Sequence, residues 1–320
     1  MGTRMELSDR IGRRLKLADL HVLMAVVQAG SMSKAAVLLN TGQSAISRSI
    51  GELERTLGVY LLERGPRGVE PTQYGRALLD GGAVVFDDLR QMVRNIEFLS
   101  DPATGEVWVG CSSSVAASFV SAVVDRLTRR YPRIVVQLVM IQHSKGADVL
   151  RDLHERKLDL VIIRRFGALA DERLSFESLF DEAFVVAAGA QSPWARRRRI
   201  ALAELVRESW VLPRLENPLG AAALEAFRAS RIDYPRATAV IEPVLVRISL
   251  LATGRFLTIC PPSILRFPSR RPEIKVLPVD LPIAPLPVGI VTLKNRTLSP
   301  VAQLFIDSAR EVAKPLAQRK

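Results

Sequence analysis

Four side chains in the stretch GQSAISRSIGELERTLG can make directed hydrogen bonds outward: Gln43, Ser44, Ser47 and Arg48. Gln and Arg each offer paired hydrogen-bonding groups in one plane, which match a purine edge in the major groove of duplex DNA. Ser bonds bases or phosphates and is short enough for close approach. Ile46, Ile50, Leu53 and Leu57 repeat at helical intervals and form a narrow inward stripe. Ser44, Ser47, Arg48, Gly51 and Arg55 fall on the opposite side, with Gln43 at its edge. A solvated amphipathic helix has the same pattern, so periodicity alone leaves both readings open.

A second set of candidates follows an apolar run. In CSSSVAASF, Ser112, Ser113 and Ser114 stand where a strand gives way to a helix, whose first N–H groups lack partners and attract anions such as carboxylate. Ser144, closing IQHS, occupies the matching place after the next strand. Ordinary helix capping explains the same residues equally well. ARRRRI, residues 195 to 200, has the composition of a nucleic-acid patch, but its place between a strand and a helix reads as a solvated loop. Cys111 and Cys260 both lie on apolar strands and read as packing residues; a redox pair across a crevice is the alternative. His21, His143 and His154 are dispersed, and there is no GxSxG, P-loop, HExxH or metal-spaced Cys/His cluster. No catalytic residues, metal or cofactor are therefore expected, and the chain does not read as an enzyme.

These candidates need elements to hold them. Leu17, Leu20, Leu23, Met24 and Val27 give a helix over about 16–28, ended by Gly30. Ser31 caps a second helix through Ala35, Ala36 and Leu39, and Asn40, Thr41 and Gly42 break the chain before the third. Two helices joined by a tight turn, the second with a polar outer face, make a helix-turn-helix. ERGPRGVEP, with Arg64 and Arg67, reads as a hairpin loop. From Thr72, a plausible cap, to about Leu99 a single helix carries Leu78, Leu79, Val85, Leu89, Met92, Val93, Ile96 and Leu99 as an apolar stripe that needs covering. SDPATGE is a short hinge. Beyond it, strands at Val107–Cys111, Ile134–Ile141 and LDLVIIR alternate with helices and imply a parallel α/β sheet. FVVAAGA and SWVLPR begin a second set. The strand at 288–293 and the helix at 301–317 return to the first.

The chain has 320 residues, enough for two or three domains, with a net charge of +12 that suits a polyanionic partner. Only +3 of that charge falls in residues 1–64, so charge permits DNA binding without locating it. Two cysteines, no long apolar run and no apolar leader point to a cytoplasmic protein.

The segment AGSMSKAAVLLNTGQSAISRSIGELERTLGVYLLER resembles the DNA-binding domain of LysR-type transcriptional regulators, through A-G-S at 29–31, Q-S-A-I-S-R at 43–48 and L-E-x-x-L-G-V at 53–59. R-G-V at 67–69 and T-x-x-G at 72–75 resemble the wing and its exit. Gly42, Leu62 and Pro71 depart from the family, which has Thr, Phe and Leu there.

The resemblance implies an N-terminal winged helix-turn-helix (1–71), a linker and dimerisation helix (72–99), a hinge (100–105) and an α/β effector-binding domain (106–320) of type II periplasmic-binding-protein-like fold. Subdomain I would cover about 106–180 and 270–320, and subdomain II about 181–269. It implies double-stranded DNA as partner, contacted by Ser33, Gln43, Ser44, Ser47 and Arg48, with Arg67 in the wing. It implies a homo-oligomer: a dimer through the linker helix, assembled further into a tetramer. Family layout adds Arg164, Asn217 and the EPVL turn with Val244 to Ser112, Ser113, Ser114 and Ser144 as effector contacts. The effector expected is a small organic anion, with a sugar or an aromatic acid left open.

Overall fold

The computed structural model describes residues 15–65, 68–141, 147–167, 171–266 and 273–318. It divides into two compact units, Met1–Arg90 and Gln91–Lys320.

In the first unit, α1 (Leu17–Ala29) ends at Gly30, whose φ of 71° is left-handed. Ser31 then caps α2 (Met32–Leu38), its side chain accepting from the Lys34 N–H. α3 (Gln43–Leu57) turns Ile46, Ile50 and Leu53 inward and ends at Gly58, also left-handed. These three residues pack with Leu23, Val26, Ala35 and Leu61 in one core. The small Ala35, fully buried, lets α2 lie close to its neighbours.

The expected hairpin is present as β1 (Leu62–Gly65) and β2 (Gly68–Pro71), paired antiparallel. Val69 N–H donates to the Gly30 carbonyl at 3.0 Å, which ties the hairpin to the end of α1. Gly68 has φ 120°, and a Cβ there would lie 2.5 Å from the same carbonyl oxygen, so the turn takes no larger residue. Thr72 caps α4 (Gln73–Ser100): its Oγ1 accepts from Gly75 N–H at 3.1 Å and donates to the Tyr60 carbonyl at 2.8 Å. A Cβ on Gly75 would lie 2.1 Å from the Leu61 carbonyl oxygen. The T-x-x-G spacing is thus the footprint of a helix start pressed against a strand.

The second unit holds two five-stranded sheets. The first has the order β4-β3-β5-β12-β6, built from β3 (Thr104–Cys111), β4 (Arg133–Met140), β5 (Leu160–Arg164), β6 (Leu174–Glu182) and β12 (Leu286–Leu293). The second has the order β11-β7-β10-β8-β9, from β7 (Val185–Gly189), β8 (Trp210–Leu212), β9 (Ala237–Val240), β10 (Leu257–Cys260) and β11 (Ile274–Val276). Helices cover both: α5 (Ser113–Val115), a π turn over Ala116–Val120, α6 (Ser121–Arg130), α7 (Ala147–His154) and α10 (Pro300–Ala317) belong with the first, α8 (Pro218–Ala229) and α9 (Val244–Leu251) with the second. Val107, Val109, Phe119, Phe180, Ile290 and Phe305 fill the first core. Trp210, Phe227, Leu205 and Ile259 fill the second, where the Trp210 indole N–H donates to the Leu205 carbonyl at 2.7 Å. Two α/β subdomains crossed twice by the chain form the type II periplasmic-binding-protein layout.

Several details differ from the sequence reading. The sheets are mixed rather than wholly parallel: β12 runs antiparallel to β5 and β6, and β7 antiparallel to β10 and β11. The cause is the double crossing, because β12 enters the first sheet from the second subdomain and slots between two existing strands. β6 was not expected; LSFESLFDE alternates polar and apolar residues as a half-exposed strand does. β3 starts at Thr104, inside the expected hinge. β11 pairs with β7, and Leu277 packs in the second core, so the chain rejoins the first sheet only at β12 rather than near residue 270. The helix after β3 is broken by the π turn, whose Ala117 packs against residues of the second sheet.

Candidate nucleic-acid interface and ligand crevice

The start of α3 presents Gln43, Ser44, Ser47 and Arg48 to solvent, and Ser33 is exposed in the first turn of α2. Gly42 gives no side-chain cap, which leaves the first N–H groups of α3 open to an acceptor such as a phosphate. The face behind them is fixed. Ser49 Oγ donates to Asp19 of α1 at 2.5 Å, and Glu54 Oε1 accepts from Leu61 N–H at 2.8 Å at the entry to the hairpin. Asp19, Ser49 and Glu54 were missed in the sequence. Glu54 stands inside the quoted L-E-x-x-L-G-V, but nothing in that pattern says it bonds a backbone amide seven residues on. Arg67 lies outside the described residues.

The stripe of α4 is divided. Leu78 and Leu79 are half-buried against the core of the first unit. Met92, Val93, Ile96 and Leu99 are 55–81% exposed. Four apolar side chains in that state on one helix are a surface awaiting cover.

The candidate ligand residues have mixed surroundings. Ser112 is buried directly after β3; Ser113 is exposed and Ser114 half-buried. Ser112 forms no side-chain cap bond to its helix. Arg164 ends β5 and is 7% exposed; its Nη2 donates to Glu182, and its guanidinium lies 5.2 Å from the Phe184 ring centroid. Register places the two sets close, because Cys111 pairs with Ile162 on the neighbouring strand. Asn217 is occupied as a cap: Oδ1 accepts from Leu219 N–H at 2.9 Å, and Nδ2 donates to Glu242 at 2.9 Å. The Val244 side chain is in the second subdomain's core beside Cys260 and Ile264, so only its backbone is left for a ligand. Ser144 lies outside the described residues.

The buried polar groups that the sequence reading missed include Glu182 at the end of β6, Ser263 just past β10 and Arg247 within α9. Arg247 had a signal, as the one charged residue in VLVRISLL.

Both cysteines are buried, and burial pushes the thiol of Cys111 up to about 11 and that of Cys260 up to about 12. Both are thus protonated at neutral pH, and neither is the accessible thiolate that redox switching uses. Among the described residues no group of His, Cys, Asp and Glu has an arrangement that would hold a metal ion. No single described helix is long and apolar enough to cross a membrane.

Comparison with known proteins gives these elements a context. Residues 17–76 match the family described as "Bacterial regulatory helix-turn-helix protein, lysR family", and residues 100–314 match "LysR substrate binding domain". The chain is 26% identical over 299 residues to the HTH-type transcriptional regulator GbpR of Azospirillum brasilense, covering 93% of this chain and 86% of that protein. It is 25% identical over 296 residues to TdcA of Escherichia coli, covering 92% and 93%. Among solved structures it is similar to ArgP from Mycobacterium tuberculosis (TM-score 0.67, 18% identity, covering 96% and 100%). It is also similar to CbnR, a LysR family transcriptional regulator (TM-score 0.54, 22% identity, covering 92% and 100%). With both family segments matched in order, over three-helix and two-subdomain units of the required form, the chain belongs to the LysR family: it is a helix-turn-helix transcriptional regulator with an effector-binding domain.

Proposed function

We propose that the chain reads operator DNA through Ser33, Gln43, Ser44, Ser47 and Arg48, with Arg67 reaching the adjoining backbone or minor groove. The observation that carries this is the exposed polar start of α3, held from behind by the Ser49–Asp19 and Glu54–Leu61 bonds. A CbnR structure was determined in complex with its target DNA, which supports the reading by analogy. The exposed Met92, Val93, Ile96 and Leu99 support pairing of α4 with the same helix of a second copy, and in this reading such dimers pair further into a tetramer. Two recognition helices then address two half-sites about one turn of DNA apart. In this reading residues 1–71 bind DNA, 72–99 dimerise and 106–320 take the effector, and the protein works in the cytoplasm without enzymatic activity.

The effector enters between the two subdomains, at strand ends near Ser112, Ser113, Ser114, Ser144, Arg164, Asn217 and the Val244 backbone. Ligands of open α/β sheets bind in such crevices. Its occupancy shifts the balance between two arrangements of the paired DNA-binding units. A gel-shift series on the promoter fragment adjoining the gene tests the DNA reading. Phosphate neutralisation makes log K fall linearly with log salt, by about 0.9 per phosphate contacted. A slope of several units is expected; a flat response, or equal affinity for unrelated duplex, contradicts it.

A further inference from the structure

The positive charge of the chain is concentrated in its second subdomain. Between the end of β6 and the start of β12, residues 183–285 hold 15 Lys and Arg against 8 Asp and Glu. That surplus of 7 is more than half of the net +12, on under a third of the residues. Four of these cations stand in a row at Arg196–Arg199, and all four are exposed.

The segment that carries them is pinned at both ends. It leaves β7 where Ala190 N–H donates to the Glu273 carbonyl at 2.7 Å. Ser192, 3% exposed, then caps a 3₁₀ turn over Pro193–Arg196, its Oγ accepting from Trp194 N–H at 3.4 Å. Trp194 packs against the second core. Ile200 lies within that core, and its N–H donates to the Pro278 carbonyl at 3.3 Å. Arginines between two such anchors present charge from a fixed backbone, so little backbone order is lost on binding.

Arg197 is occupied: it donates to Glu204 at 2.8 Å and lies 5.7 Å from the Trp194 ring centroid. Arg196, Arg198 and Arg199 have no ion pair or side-chain hydrogen bond among the described residues. The acids nearby do not cancel them. Glu204 is taken by Arg197 and by Ala201 N–H. Glu273 and Asp280, on either side of β11, are exposed, as is Lys275 within that strand. With Lys275 counted, the rim has five cations against three acids. A solvated surface usually mixes both signs, whereas a row of unopposed arginines is the footprint of a polyanion.

We propose that Arg196, Arg198 and Arg199 form a second DNA-contacting face, which takes phosphates of the duplex outside the operator. This rests on the reading that the chain binds the operator through α3. Guanidinium groups bond phosphate oxygens without regard to sequence. DNA is favoured over an acidic polypeptide as occupant because the same chain already holds it. A duplex bound at α3 keeps its flanks at high effective concentration around the rest of the molecule.

The test is a gel-shift series with the full-length protein. It compares promoter fragments of about 30 and 150 bp that share the operator, from about 50 to 200 mM salt. The variants are Arg196→Ser/Arg198→Ser/Arg199→Ser and the same triple change to Lys; Arg197 stays, since it bonds Glu204. All three proteins are expected to bind the short fragment alike. On the long fragment the wild type binds more tightly, with a salt slope steeper by about 2–3, one phosphate per arginine. The Ser variant loses that excess, so its deficit against wild type is about 40-fold larger at the low-salt end. The Lys variant keeps most of it, because charge releases the counterions. A wild type that binds both fragments alike, or an excess undiminished in the Ser variant, overturns the inference and leaves the α3 reading standing. So does an equal loss in the Ser and Lys variants. No selective binding of either fragment by the wild type removes both. Unchanged DNA binding with reduced transcription by purified RNA polymerase would give the face to an acidic protein and overturn the inference. Thermal unfolding of the three proteins is expected to coincide; a Ser variant that melts well below wild type marks the arginines as structural and overturns it too.

Discussion

Replacing Gln43 and Arg48 together by alanine lowers the preference of the protein for its own promoter fragment over random duplex by about 10²- to 10⁴-fold. The magnitude follows from about 1–3 kcal/mol of discrimination for each bidentate base contact. Fold and stability are unaffected, because both side chains are exposed on α3 while Ile46, Ile50 and Leu53 hold its inner face. General affinity falls less than selectivity, since phosphate contacts are spread over other groups. Competition gel shifts with specific and random fragments measure this. Unchanged selectivity would mean that another surface reads the bases.

The largest effect on stability is expected at Asp159. Its carboxylate is 2% exposed and accepts from Trp108 N–H at 2.9 Å, from Arg296 Nη2 at 3.3 Å and from Arg94 Nη1 at 3.4 Å. One side chain therefore joins β3, the start of β5, the approach to α10 and the end of the long helix. Asp159→Ala takes this carboxylate away from the guanidinium of Arg296, whose side chain is 1% exposed and also donates to the Leu158 carbonyl. Removing one member of a buried pair costs about 3–5 kcal/mol, a large share of the stability of a domain. Urea unfolding of the variant should show that loss as a lower midpoint at nearly unchanged slope. The paired change Asp159→Leu/Arg296→Met should recover much of it, because both buried charges of the pair are then removed, while Arg94 keeps Glu106. A loss below about 1 kcal/mol for Asp159→Ala would contradict this account of the pair.

What the sequence made legible followed local rules. Gly30 ends α1 because glycine takes the left-handed backbone, and Ser31 and Thr72 cap because their side chains reach N–H groups three residues on. The polar face of α3 was readable for the same reason: one helix period fixes which residues point outward.

What stayed hidden depends on residues far apart in the chain. Glu182 meets Arg164 and Ser263 only after the second crossing, from 18 residues away on one side and 81 on the other. The direction of β12 is set by its arrival from the other subdomain, which no strand pattern encodes. Asn217 and Val244 show the same dependence: family layout suggests them for the crevice, and only the fold shows that one side chain caps α8 and the other fills a core. Arg247 was visible as a lone charge in an apolar helix, but its burial against the Ile259 carbonyl is a property of the fold.

The central claim is that the outer face of α3 reads base edges in the major groove. Methylation interference on the promoter fragment tests it most directly, because a methyl group on guanine N7 occupies that groove and nothing else. The account predicts interference at guanines in two half-sites about one helical turn apart, with the signal at one position of each half-site lost in Arg48→Ala. Binding that ignores N7 methylation throughout the protected region, in both proteins, would contradict it.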